Sequence, residues 1–470
     1  MIPLIILAIS FVTHFIFLGQ PASVVFDEVF YGNFMSAYWQ GLYFFDQHPP
    51  FFKLLMAGIG YLTGASHYIA DWSHIGNAVP DQITILRLVP IIFGTFFPLV
   101  IYAICRRLDF SKIASTTVAI LLCLENSLVA QSRFILPDIV LLFFGFLSIL
   151  LYLEYTRRPD ARAGTWFLFV SILSATATLS IKWTGLAFLL VIFAMELYRL
   201  RSAFKLNIKK LVLFVGSYLS IALLIYTTLF AIHFTLLYHS GPGDVFMTSQ
   251  FQKNLIDNKH FSDSSIKARG FFGKFLELND TMFTVNHTMI ATHPYSSKWY
   301  TWPFMVRGVF YWQSTSTQKT VLAPKSAMTD QLSIEPTSES PSYIYLIGNP
   351  FIYWLSVLSI IFLSLYTSLK RRLNKISFFL LIGFVANLLP FAFIGRLMFL
   401  YHYEAALIFS IIAVGYLLDL LFMQSKQKRI ATVAILSVAV LAFIYWSPIT
   451  YGIPLTDQAL ASRMWLSSWR

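Results

Sequence analysis

Eleven apolar runs dominate this chain, near 2–18, 82–105, 113–131, 135–153, 165–181, 183–198, 210–233, 344–369, 376–395, 397–421 and 430–446. A helix needs about 20 such residues to cross the roughly 30 Å hydrocarbon core of a bilayer. No soluble fold accommodates so many, so the runs predict an all-α, polytopic membrane protein. The pair 165–198 is too long for one crossing, about 51 Å at 1.5 Å per residue. Arg162 before it and Arg199 after it also belong on the same side. Two short spans broken near Lys182 satisfy both constraints, as does a re-entrant hairpin. Residues 1–18 lack a basic start, and Gly19-Gln20-Pro21-Ala22-Ser23 is a poor cleavage site, so this segment is read as a span rather than a cleaved signal.

Charge supports the same class. Only 12% of the 470 residues are charged, against about 25% in soluble proteins. The net charge of +12 raises the question of nucleic acid, but the basic residues form no single face or tail. Eighteen of the 34 lie in five clusters: Arg106 to Lys112, Arg157 to Arg162, Arg199 to Lys210, Lys370 to Lys375 and Lys426 to Arg429. Every cluster follows an even-numbered run. The positive-inside rule then places these loops and the N-terminus in the cytoplasm and the C-terminus outside. A partner bilayer explains the charge and no nucleic acid is expected. The two cysteines, Cys105 and Cys123, sit in apolar surroundings and suggest neither a disulfide scaffold nor a zinc site.

This topology leaves three parts. Residues 1–233 carry seven spans and a first outer loop at 19–81, residues 234–343 form a large outer loop, and 344–470 carry four spans. Both outer loops are rich in Trp, Tyr, Phe, His, Gly and Pro, as amphipathic interfacial structure would be. The Ser/Thr/Pro-rich stretch 313–342 is expected to be mobile.

Ionisable residues at membrane depth cost about 2.5–3.5 kcal/mol each on insertion scales. In this topology they gather at the outer face: Asp27 and Glu28, then Asp46, His48 and Lys53, then Arg133 and Asp138, then Lys182, Arg396 and His402. Singly, each has a plain structural reading as a solvated loop, a rigid His-Pro-Pro turn, a helix-terminating ion pair or a snorkelling cation. Together, a carboxylate suits proton removal from a hydroxyl nucleophile, and cations suit a departing phosphate. A phosphate needs no protonation to leave. The set therefore fits glycosyl transfer from a lipid-linked phosphosugar to a hydroxyl. No His-Glu-x-x-His spacing occurs, so neither metal nor other cofactor is expected, the lipid-linked donor being a substrate.

Seven blocks in order, Phe26-Asp27-Glu28 with Tyr43 to Pro50, Leu124-Glu125-Asn126 with Gln131 to Asp138, Ile181 to Gly185, Gly241 to Asp244, His293 to Pro303, Gly348-Asn349-Pro350 and Arg396 to Tyr403, resemble the protein O-mannosyltransferase family. The resemblance implies a C-type glycosyltransferase fold of about 11 transmembrane helices. It implies a polyprenyl- or dolichyl-phosphate-mannose donor, Ser/Thr hydroxyls of secreted or membrane proteins as acceptors, and inversion at the sugar. It makes Asp27 the base with Glu28 its supporting neighbour. Lys182 and Arg396, with His48, become the donor-phosphate residues, and Arg133, Asp138 and Asp46 organise the site. The large loop leaves too little room for the β-trefoil domain of eukaryotic members, which implies a compact prokaryotic-type protein in the cell membrane, as a monomer or a dimer. Pro137 departs from the aliphatic residue more usual in the family. The alternatives are a related transferase with another sugar or a lipid or glycan acceptor, and a transporter or flippase. A transporter predicts midplane polar residues and repeated halves.

Overall fold

The computed structural model describes residues 1–159, 161–201, 208–288, 292–314 and 340–470. All eleven apolar runs contain helix. Among the described residues, nine helices are long and apolar enough to cross a membrane. The pair Lys112–Cys123 and Asn126–Ser132 is long and apolar enough only when taken together, and turns by 57° at its break, as a broken span or a re-entrant loop does. The first run is a 14-residue helix, Ile2–Phe15, about 21 Å long at 1.5 Å per residue, and so short for a full crossing. The long stretch breaks where the sequence suggested. Lys182 is extended (φ −146°, ψ 146°) between the helices Arg162–Ile181 and Leu186–Arg201.

One expected span starts late. Residues 343–346 do not open a helix; they pair antiparallel with Val309–Gln313 in a two-stranded sheet. The helix begins at Pro350, where Asn349 Oδ1 accepts from the Ile352 amide at 3.4 Å and proline fits the first turn. The apolar character of Tyr343-Ile344-Tyr345-Leu346 thus serves strand burial, which hydropathy does not separate from a helix. The expectation of mobility at 313–342 falls mostly on 315–339, outside the described residues.

The bundle packs closely where glycines face aromatic rings. A Cβ on Gly145 would lie 2.6 Å from the Phe188 ring, and one on Gly94 2.7 Å from His14. Small residues let neighbouring membrane helices approach this closely. The basic loops are drawn together at one end. Arg107 pairs with Glu154, Arg157 reaches Asp109 at 3.4 Å, Asp419 takes Ser111 Oγ at 2.6 Å and Lys428 Nζ at 2.5 Å, and Tyr198 donates to the Leu373 carbonyl at 3.4 Å.

At the other end the loop after the Ile2–Phe15 helix and the loop after the Ile208–Leu236 helix are stitched to each other. The first carries the helices Glu28–Gln40 and Phe51–Leu62. After Gln40, Gly41 takes the left-handed conformation (φ 72°) that ends many helices. The chain then exchanges backbone hydrogen bonds with the second loop: Tyr43 N to His239 O at 2.9 Å, and Gly243 N to Tyr43 O at 3.1 Å. Gly241 is glycine for contact, since a Cβ there would sit 2.3 Å from the Tyr43 carbonyl. These bonds fix the segment 43–53 over the bundle, where the site forms.

Candidate active site

Asp27 stands at the entrance of the Glu28–Gln40 helix. Its backbone carbonyl accepts the first helical amides, while its side chain caps nothing. The preceding residue, Phe26, has φ +48°, an unusual conformation for a bulky residue. Two contacts from Tyr311 hold it: the Tyr311 carbonyl accepts from Phe26 N at 3.2 Å, and the two rings stack at 4.2 Å. Through Tyr311, the two-stranded sheet therefore holds the backbone that leads into Asp27. Burial pushes the Asp27 pKa up to about 7. Lys182 opposes that rise, while Asp138 and Asp46 add to it. A carboxylic acid poised near neutrality suits a general base.

Lys182, Arg396, His48 and Asp138 line one cavity of about 420 Å³. The helix break exposes Lys182 to it, and Asp138 at the start of its own helix accepts both-handed from Lys182 Nζ, at 2.8 and 3.0 Å. Lys182 also sits 5.3 Å from the centre of the Tyr401 ring. Arg396 differs. Among the described residues it has no salt bridge or hydrogen bond, and burial holds its pKa below the usual guanidinium range. The cavity thus contains one committed cation and one free one. His48 lies within the fields of both. Burial, then Lys182 and Arg396, push its pKa well below the ordinary imidazole value, so it is neutral at pH 7. Asp46 is paired with Lys53, whose Nζ also donates to the His48 carbonyl at 2.7 Å.

Four of the eight expected site residues, Asp27, Glu28, Asp46 and Arg133, do not line the cavity, and Glu28 and Arg133 are engaged elsewhere. The Glu28 carboxylate turns away from Asp27 and meets Arg87 in a two-pronged pair, Nε to Oε1 at 2.8 Å and Nη2 to Oε2 at 2.6 Å. It also accepts from Val25 N and Ile135 N, both at 2.9 Å. Glu28, expected as the supporting neighbour of Asp27, directs its oxygens to Arg87 and the two amides, and so supports the Asp27 segment through the backbone. Arg133 forms no ion pair with Asp138, which is taken by Lys182. Arg133 donates to the carbonyls of Ile16, Phe17 at 2.7 Å and Gln20 at 3.3 Å, closing the end of the first helix.

Sequence reasoning passed over Arg87, Tyr311 and Glu404. Arg87 had a readable signal, a lone cation within the apolar run 82–105. Tyr311 lay among many interfacial aromatics and had none. Glu404, one acid at the head of an apolar run, resembles an ordinary first-turn residue.

The matches to known proteins cover both halves of the chain. Residues 4–238 match the family model for dolichyl-phosphate-mannose-protein mannosyltransferase, and residues 271–469 match that for the C-terminal four-transmembrane region of protein O-mannosyltransferase. Protein O-mannosyl-transferase 1 of Danio rerio is 33% identical over 263 residues, 54% of this chain and 36% of that protein. Dolichyl-phosphate-mannose–protein mannosyltransferase 4 of Candida albicans is 34% identical over 269 residues, 52% of this chain and 34% of its own length. These alignments span about a third of each curated relative. In fold, the chain superposes on the S. cerevisiae protein O-mannosyltransferase Pmt1-Pmt2 complex bound to the sugar donor, with a TM-score of 0.84 at 20% identity, over all of this chain and 92% of that one. The Archaeoglobus fulgidus oligosaccharyltransferase is more distant, with a TM-score of 0.55 at 14% identity over 99% and 57% of the two chains. Two family models in order along one membrane-embedded helical chain place it in a single lineage: this integral membrane protein belongs to the protein O-mannosyltransferase family.

Proposed function

We propose that the chain is an inverting glycosyltransferase that moves mannose from a polyprenyl- or dolichyl-phosphate donor to Ser/Thr hydroxyls of proteins. The observation that carries this reading is the half-buried Asp27, poised near neutrality in the field of Lys182, with Lys182 and the free Arg396 lining one cavity. The Asp27 carboxylate takes the acceptor hydroxyl proton as that oxygen forms a bond to the sugar C1. The C1–O bond to phosphate breaks, and its electron pair leaves with the polyprenyl phosphate. Arg396 and Lys182 stabilise the charge gathering there, and neutral His48 contributes a hydrogen bond.

Transfer of labelled mannose from synthetic polyprenyl phosphate mannose to a Ser/Thr peptide by purified protein tests the reading. No transfer would remove it, and transfer to a lipid or glycan alone would move it to a related transferase. Turnover is expected to survive a chelator, because among the described residues no group of three or more His, Cys, Asp or Glu side chains gathers to hold a metal. Loss of activity that a divalent ion restores would show the opposite.

The two cations divide the phosphate work unequally in this proposal. Arg396→Ala should lower kcat/KM for the donor on the order of 100-fold, as loss of one charge-stabilising donor does, with little change in peptide KM. Lys182→Ala should add a second effect. Because Lys182 holds the Asp27 pKa down, its loss should move the rise in the pH–rate profile to higher pH. A peptide-KM effect alone in either variant would reassign the residue.

The orientation we infer has the N-terminus and basic loops in the cytoplasm and the site outside, in the cell membrane of a prokaryotic-type cell. Assembly as a dimer belongs to the same proposal. Cys105 and Cys123 are buried, so an impermeant thiol reagent has a low background. Ser73→Cys, on an exposed stretch of the first outer loop, should label in intact cells, whereas Ser425→Cys at the basic end should not. The reverse pattern would invert the topology.

A further inference from the structure

Glu404 opens the Glu404–Leu421 helix and contributes to the wall of the same cavity. It is 1% exposed, and neither carboxyl oxygen has a hydrogen-bond partner among the described residues. Ser127 lies close to it, but that hydroxyl donates to Glu125 Oε1 at 3.1 Å. A buried carboxyl left in this state costs free energy, and native proteins seldom retain one without a use. A second orphan stands nearby. The Tyr311 hydroxyl is fully buried and unpartnered, and Glu404, Asp138 and Asp27 all act on it electrostatically. Tyr311 is also the residue that stacks on Phe26 and holds the Asp27 segment. The cavity therefore has cations for a phosphate and, in its wall, one carboxyl with both oxygens open, while the unpartnered Tyr311 hydroxyl lies near that carboxyl.

Resting on the reading above, we infer that Glu404 is a specificity-determining residue that hydrogen-bonds the hydroxyls of the donor's hexose, with the Tyr311 hydroxyl bordering the same subsite. The sugar is the part of a polyprenyl phosphohexose that offers several neutral donors. A carboxyl with two open oxygens accepts from two neighbouring hydroxyls, and so distinguishes a complete hexose from one lacking either. Phosphate binding stays with Arg396 and Lys182, and proton removal stays with Asp27.

The test compares the unaltered protein, Glu404→Gln and Glu404→Leu in one lipid preparation, with polyprenyl phosphate mannose and its 2-, 3-, 4- and 6-deoxy analogues. A hydrogen bond is worth about 2- to 10-fold in kcat/KM. Glu404→Leu should lose that factor with the full donor, and Glu404→Gln should lose less. At least one deoxy donor should lose a similar factor with the unaltered protein but little more with Glu404→Leu, because the shared contact is already gone. Melting temperature separates this role from a purely structural one. Removal of an unpartnered buried carboxyl should leave the melting temperature unchanged or raise it while turnover falls. Equal, additive losses for every deoxy donor, or a lowered melting temperature in both variants, would overturn the assignment. Absence of mannose transfer by the unaltered chain, with any donor, would overturn the underlying reading and this assignment with it.

Discussion

Asp27→Asn is expected to abolish nearly all transfer while leaving the fold and donor binding in place. The asparagine keeps the shape of the side chain but cannot accept a proton at neutral pH, and removal of a general base typically costs 10²- to 10⁴-fold, about 3–5 kcal/mol in the barrier. Donor affinity should change little, because the proposed phosphate contacts are Arg396 and Lys182. The pH dependence provides a second readout with a definite sign. Burial raises the Asp27 pKa to about 7, and only the carboxylate form accepts the proton. For the unaltered protein the rate should therefore climb with pH, pass its half-maximum near 7 and level off above it. Asp27→Asn should leave a small residual rate without that step. Turnover near normal in Asp27→Asn, with binding of a labelled donor confirming the fold, would transfer the search to Asp46 or Asp138.

The reach of the sequence differs between parts of the molecule. Hydropathy and charge asymmetry located the membrane helices because both are local properties that a 20-residue window contains. The break at Lys182 was legible for the same reason: length and flanking arginines forced it. The strand at Tyr343–Leu346 was not, because an apolar run of four residues reads alike as strand or helix until its partner, more than 30 residues away, is known. At the site, shared membrane face was enough to bring Asp27, Asp138, Lys182 and Arg396 into one list. It did not reveal which acid faces which cation. Asp138 pairs with Lys182 across 44 residues, rather than with Arg133 five residues before it, and Glu28 looks away from its own neighbour towards Arg87, 59 residues on. Side-chain direction at a helix entrance depends on the tertiary partner, and sequence adjacency of Asp27 and Glu28 suggested a chemical partnership where the fold uses a mechanical one.

That mechanical role sets a second large effect, in stability rather than chemistry. Arg87 is 1% exposed and Glu28 fully buried, and every polar position of both side chains is occupied. Arg87 donates to Glu28 through Nε and Nη2, to the Ser23 carbonyl at 2.7 Å, and to the carbonyls of Pro21 at 2.6 Å and Gly19 at 3.3 Å. Its guanidinium also lies 5.1 Å from the Phe134 ring centre. One ion pair thereby ties residues 19–28 to the Leu88–Arg107 helix and, through Ile135 N, to the turn before Asp138. Removing one partner of a buried pair strands a charge and typically costs about 3–5 kcal/mol. Glu28→Ala and Arg87→Ala should each lower the melting temperature sharply and reduce the yield of folded protein. Turnover per folded molecule should fall as well, since the loop that aims Asp27 loses its anchor. Glu28→Gln should be milder in size but alike in kind, losing stability without moving the pH of half-maximal rate, because Glu28 does not act on the Asp27 proton. The double replacement Glu28→Met, Arg87→Met removes both charges and should cost less than the two single losses added together. Full stability in Glu28→Ala, together with a displaced pH profile, would restore Glu28 to the chemistry and leave the loop to be held by Arg133 alone.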